Sequence, residues 1–133
     1  MISTAMNNVR LDSLIRAHGE VAESRLGYWK FDYRDRTVLV ITDESHDRMR
    51  IITPVAEVTE LSEEIWLLAL SANFDRALDA RYAINGDFLW SAYIHPLSSL
   101  SDGQFIDGLQ QVVTLADNFG TSFSSSDLVF DGH

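Results

Sequence analysis

The stretch Leu61–Phe74 constrains this chain more than any other. At about 100° per residue, Ile65, Leu68, Ala69 and Ala72 make one face of a helix, and Trp66, Leu67, Leu70 and Phe74 cover much of the other. Only Glu63, Glu64, Ser71 and Asn73 interrupt the ring. A helix on the surface of a domain shows one apolar stripe, whereas one that is apolar nearly all round is covered on more than one side. The start of this helix is marked by Ser62, an N-cap whose hydroxyl accepts from a backbone N–H of the first turn. Glu63 and Glu64 follow at the positive end of the helix dipole, and Leu61 and Trp66 stand at staple spacing across the cap. In a chain of 133 residues, one layer of sheet covers one side of this helix. The second side is covered either by a second copy of the chain, which is the leading expectation, or by the chain's own loops and termini.

Helical and strand-like segments flank this helix in a regular order. Val9–His18 carries Leu11, Leu14 and Ile15 on one face and ends before Gly19, which reads as a helix stop. Leu26–Tyr33 alternates, with Trp29, Phe31 and Tyr33 on one side and Tyr28, Lys30 and Asp32 on the other. After the turn Arg34-Asp35-Arg36, the β-branched run Thr37–Thr42 suits a central strand. Asp43–Asp47 reads as a polar loop. Arg48–Val58 is a third strand, its pairing bent or ended by Pro54. Beyond the middle helix, Asn85-Gly86 separates Leu78–Ile84 from Asp87–His95. Asn-Gly is the preferred pair of a type I′ hairpin turn, and that turn would set Tyr82 opposite Leu89 and Arg81 beside Trp90. Ser101-Asp102-Gly103-Gln104 has the capping-box pattern and opens a helix to about Phe119. Its apolar half is Phe105, Ile106, Leu109, Val112, Val113, Leu115, Ala116 and Phe119; Gln110, Gln111 and the acids lie on the other. The expected fold is therefore α+β, in the order α-β-β-β-α-β-β-α, with helices packed on an antiparallel sheet. One domain is expected over residues 1–133, with an ordered core at about 9–120. Residues 121–133 form a tail that holds the apolar tag Leu128-Val129-Phe130.

Composition excludes several classes of function. There is no cysteine, so neither a disulfide scaffold nor a thiolate zinc site is available. The N-terminus lacks the basic and apolar regions of a signal peptide, and the longest apolar run, Ile65–Leu70, is too short to span a bilayer. A cytoplasmic protein without membrane insertion is expected. The net charge is −10. From Tyr82 onward the chain contains Asp87, Asp102, Asp107, Asp117, Asp127 and Asp131 and no Lys or Arg. Such a chain repels nucleic acid. Its acidity serves either to keep the surface soluble or to steer a basic partner.

Catalytic and metal readings are thin. His18, His46, His95 and His133 form no paired-ligand spacing. Asp43-Glu44-Ser45-His46-Asp47 lacks the spacing and glycine of a calcium loop and reads as a solvated turn. No nucleophile elbow or glycine-rich phosphate loop is present, so no catalytic, metal or cofactor residue is expected. The aromatic residues carry the functional signal instead. Trp29, Phe31, Trp66, Phe88 and Trp90 each read singly as ordinary core, but together they exceed what one sheet and three helices need to bury; with Leu67, Leu70 and Phe74 on the middle helix they are the expected partner-binding or dimer-interface residues. Apolar patches rimmed by acids mark interaction sites.

The element order resembles the secretion-chaperone-like superfamily, and within it the YbjN branch, labelled putative sensory transduction regulators. The likeness is carried by the apolar helix ending in Ser71-Ala72-Asn73, by Arg81-Tyr82-Ala83-Ile84-Asn85-Gly86-Asp87-Phe88-Leu89-Trp90, and by Leu97, Leu100-Ser101, Phe105, Leu109 and Ala116-Asp117. It implies a homodimer that binds another polypeptide and catalyses nothing. In type III secretion chaperones of this fold the middle helix helps to dimerise the protein. An extended stretch of an effector is held against apolar patches of helix and sheet. The alternative is a regulatory or adaptor domain of the YbjN type that binds one folded partner or a small ligand.

Overall fold

The computed structural model describes residues 5–125; the tag Leu128-Val129-Phe130 lies outside them. The chain runs α1 (Asn8–His18), β1 (Glu20–Arg25), β2 (Tyr28–Tyr33), β3 (Arg36–Asp43), β4 (Arg48–Glu57), α2 (Glu63–Asp75), β5 (Arg81–Asn85), β6 (Phe88–Pro96) and α3 (Asp102–Asp117), with a 3₁₀ turn, Val58–Glu60, before α2. The strands form one antiparallel sheet in the order β1-β2-β3-β4-β6-β5. The α+β architecture with helices on an antiparallel sheet is as expected.

The sheet has one strand more than the sequence pattern indicates. β1, Glu-Val-Ala-Glu-Ser-Arg, has only Val21 half-buried, so it lacks the alternation that identifies a strand. It forms because Leu26-Gly27 makes a two-residue link that pairs Arg25 with Tyr28. A positive φ of 75° at Gly27 suits that tight turn. The β5–β6 hairpin also differs by one step. Asn85 pairs with Phe88, so the loop is Gly86-Asp87 and Tyr82 stands opposite Ser91 and Arg81 opposite Ala92. Gly86 takes a φ of 61°, while Asp87 does not enter the left-handed region. A type I′ turn requires positive φ at both central residues; glycine at the first alone is the II′ pattern. Residues 78–80 are not part of β5. Gln111 Oε1 accepts from the backbone N–H of Asp79 and Ala80 at 2.8 and 3.1 Å, and the Ser125 hydroxyl accepts from Leu78 N–H at 2.7 Å. In β4, Pro54 sits at the expected irregularity, a register shift between Pro54 and Ala56.

All the helices gather on one face of the sheet or at its edge. α3 lies across β4, β6 and β5 and buries Phe105, Leu109, Val112, Val113, Leu115 and Ala116. The capping box foreseen at Ser101 and Gln104 is present, each side chain bonding the other residue's backbone N–H. Gln111, placed on the polar half of the wheel by sequence, is instead buried. Besides the two bonds above, its amide nitrogen donates to Asp79 and Asp107 carboxylates, and a buried amide with every polar atom paired avoids the cost of desolvation. Ser91 Oγ donates to Val112 O at 2.8 Å and Tyr82 OH to Leu115 O at 2.7 Å, pinning strand to helix. Burial pushes the Tyr82 phenol pKa up.

At Gly108, α3 lies close against Tyr93 of β6. A methyl group there would stand 2.7 Å from the buried Tyr93 ring. Gly108→Ala is therefore expected to destabilise the fold by ~1–3 kcal/mol despite the better helix propensity of alanine. A lower urea midpoint at unchanged slope is the expected result.

Candidate functional site

α2 is the least buried of the long elements. Ser62 caps it, accepting from Ile65 N–H at 3.3 Å. Only Ala69 and Ala72 are buried within it, with Trp66 and Leu61 half-buried against the core. The helix meets the β5 edge of the sheet through its two small residues and through Asn73. Tyr82 N–H donates to Asn73 Oδ1 at 2.8 Å and Asn73 Nδ2 donates to Tyr82 O at 3.0 Å. That side chain occupies the outward-facing backbone groups of the edge strand at Tyr82, which closes the position to strand addition.

The outer side of α2 has no cover among the described residues. Leu67, Leu70 and Phe74, spaced i, i+3 and i+7, are 63%, 64% and 94% exposed. Leu68 is also exposed and borders a second depression with Ala72, Gly120 and Phe123. Between α2 and the β5–β6 hairpin lies an apolar groove of about 520 Å³, lined by Val58, Trp66, Ala69, Leu70, Tyr82, Ile84 and Leu89 among others. The stripe and the groove adjoin at Leu70.

The residues singled out from sequence fall into three places. Trp66, Leu67, Leu70 and Phe74 share α2. Phe88 and Trp90 pack edge to face, with ring centroids 6.1 Å apart, on the sheet face away from α3. Trp29 and Phe31 lie in the core under α1; Trp29 is 3% exposed and its indole N–H donates to Asp12 Oδ1 at 2.9 Å. That bond, together with Arg16, holds the Asp12 carboxyl below its usual pKa. The structure thus brings together the α2 set and, separately, the Phe88–Trp90 pair. Ile84 and Ile94, both exposed on the sheet, were not singled out by sequence. Each looks like an ordinary member of an alternating strand; Ile84, opposite buried Leu89, borders the α2 groove, and Ile94 stands on the sheet face away from α3.

A larger, more polar depression of about 720 Å³ lies by the β3–β4 loop, bordered by Asn8, Asp43, Glu44, His46 and Arg48 among others. Its acids and His46 are engaged with neighbours, while Arg50 on its far wall forms no ion pair among the described residues. Asp43 accepts from Ser45 Oγ at 2.7 Å and pairs with His46 Nδ1 at 2.8 Å, so its carboxyl pKa is lowered to about 2. Asp47 accepts from the N–H and hydroxyl of Ser98, which lowers its pKa too. This is a tied, exposed turn. No group of three His, Asp or Glu side chains among the described residues converges as a metal site, and no helix among them is long and apolar enough to cross a membrane.

The sequence matches no family model and no curated protein. Solved structures do match by fold. A chain of the HopA1–SchA chaperone–effector complex superposes with a TM-score of 0.61 at 11% identity, over 82% of this chain and 88% of that one. The structure of the Yersinia pestis type III secretion chaperone SycH with a stable fragment of YscM2 gives 0.61 at 16% identity, over 83% and 96%. The ExsC–ExsE complex gives 0.53 at 14%, over 66% and 69%. The fold is that of type III secretion chaperones, and at these identities the likeness is one of fold.

Asn73→Ala is expected to loosen α2 selectively. It removes two hydrogen bonds and leaves Tyr82 backbone groups without a partner, at a cost of ~1–3 kcal/mol. Amide exchange in α2 should accelerate while α3 amides stay protected.

Proposed function

We propose that this protein acts by binding rather than by catalysis, as a chaperone-like homodimer that holds another polypeptide on apolar surfaces of helix and sheet. The observation that carries the reading is the uncovered stripe Leu67–Leu70–Phe74. Three large apolar side chains in line on one helix present a self-complementary ridge of the kind that closes two-fold dimers. The groove beside it, rimmed by Trp66, Leu70 and Ile84, is continuous with the ridge and suits apolar side chains of a bound segment. The known chaperone–effector complexes of the same fold support a polypeptide as the partner. In this reading the chain works as one domain, with α1, α3 and the sheet as scaffold and α2 with the β5–β6 hairpin as the working surface. The buried Trp29 and Phe31 contribute to the scaffold.

The regulatory or adaptor alternative, of the YbjN type, is favoured by one feature. The groove is apolar and of a volume that suits a small ligand. A small ligand would bind with a modest heat-capacity change, whereas an extended polypeptide that orders on the surface would bind with a large negative one.

Light scattering tests the assembly. A mass of twice the 15.0 kDa chain, steady over a range of concentrations, is expected for the native protein. Leu70→Asp should halve that mass and leave the circular dichroism unchanged, because Leu70 is an exposed side chain. A native protein that is monomeric at every concentration would overturn the homodimer.

A further inference from the structure

Among the described residues, the sheet face away from α3 carries no helix and has no buried residue on it. Its cross-strand registers place side chains in rows. One row runs Lys30, Leu39, Ile52, Ala92, Arg81 across β2, β3, β4, β6 and β5. The neighbouring row runs Tyr28, Ile41, Arg50, Ile94. An apolar strip of Leu39, Ile52 and Ala92 is therefore bounded by a base at each end, and a third base stands in the adjoining row. Ile52 and Ala92 line a shallow trough of about 350 Å³, together with Ile41, Arg50 and Trp90 among others.

Of the chain's ten Lys and Arg residues, Lys30, Arg50 and Arg81, like Arg34, Arg48 and Arg76, stand outside the ion pairs among the described residues. Arg10, Arg16, Arg25 and Arg36 are tied in ion pairs with Asp102, Asp12, Glu23 and Asp117. Arg81 donates to the backbone carbonyls of Leu78 and Ala80. Among the acids on the same face, Glu23 on β1 stands opposite Lys30 at the end of the row and is paired with Arg25. Asp32 falls in the next row, opposite Thr37, and Asp43 is held by Ser45 and His46. In a protein with a net charge of −10, the apolar strip on the open face of the sheet is flanked by three bases, with the Glu23–Arg25 pair lying beyond Lys30.

We infer that this face takes an acidic, apolar segment of extended polypeptide, laid across the strands with its carboxylates on Lys30, Arg50 and Arg81. The inference rests on the polypeptide-binding reading above and specifies its partner's chemistry. The net charge alone would point to a basic partner; the charge local to the binding face points the other way. Four strand-to-strand steps of about 4.8 Å separate Lys30 from Arg81, roughly 19 Å. An extended chain covers that in about six residues, so the two outer acids of the segment stand six positions apart with apolar residues between.

Two synthetic peptides of the same apolar pattern test this, one with Asp and one with Lys at two positions six apart. Titration of each into the isotopically labelled full chain is followed by amide shifts. The Asp peptide is expected to bind about tenfold tighter than the Lys peptide at low salt, with shifts centred on Leu39, Ile52, Ala92 and Ile94, and to lose that margin as salt is added. The double variant Lys30→Glu/Arg50→Glu, changed at exposed positions only, should reverse the preference. Equal binding of the two peptides on this face would overturn the charge assignment while leaving polypeptide binding in place. Failure of both to perturb the face would overturn the inference and, with it, the sheet's part in polypeptide binding, while the dimer stands or falls by its mass.

Discussion

The packing of α3 on β4, β6 and β5 is the interaction on which the rest of the structure depends. It contributes most of the buried apolar side chains of the helices, and its polar groups are paired as well as its apolar ones. Ser91 and Tyr82 reach α3 backbone carbonyls, and Gln111 satisfies both the 79–80 backbone and two carboxylates. A buried network that is fully satisfied fixes one register of helix on sheet. With α3 in the middle of the covered face and α1 over β2, α2 is left at the β5 edge.

The composition of α2 follows from that position. A helix at a sheet edge has a narrow footprint, here Ala69, Ala72 and the Asn73 side chain. Small residues allow close approach but bury little area, so the large apolar side chains of the helix stand mostly outside. Each buried leucine-sized side chain stabilises by about 1.5–3 kcal/mol; Leu67, Leu70 and Phe74 forgo most of that in the isolated chain. Covering them in an assembly would recover it. The bare sheet face poses the same question with different chemistry, because its apolar strip is bounded by bases while the outer side of α2 is headed by Glu63 and Glu64. Two surfaces of opposite local charge can take different occupants at once.

Much of this was legible in the sequence because it depends on local pattern. The ring of apolar residues on α2, the caps at Ser62 and Ser101 and the irregularity at Pro54 are all properties of a few neighbouring residues. What was missed depends on tertiary context. β1 has no buried alternation because it is an edge strand with one half-buried side chain, so its only trace is the Gly27 link. The hairpin register turned on whether one or both loop residues take positive φ, which Asn85-Gly86-Asp87 leaves open. Gln111 reads as polar surface until the 79–80 loop folds over it. Trp29 and Trp66 look equally available in sequence; only the placement of α1 separates a core tryptophan from one at the rim of a groove. The bases of the open face are scattered over Lys30, Arg50 and Arg81, and only the register assembles them.

In the proposed homodimer the outer side of α2 is where two copies meet. The chain has no cysteine of its own, so a single cysteine at exposed Asp75, beside Phe74, carries one spin label per copy. Distance measurement by double electron–electron resonance is expected to give one short, narrow distribution between the two labels. Absence of any inter-label distance, or a long and broad one, would place the two α2 helices apart and contradict the homodimer.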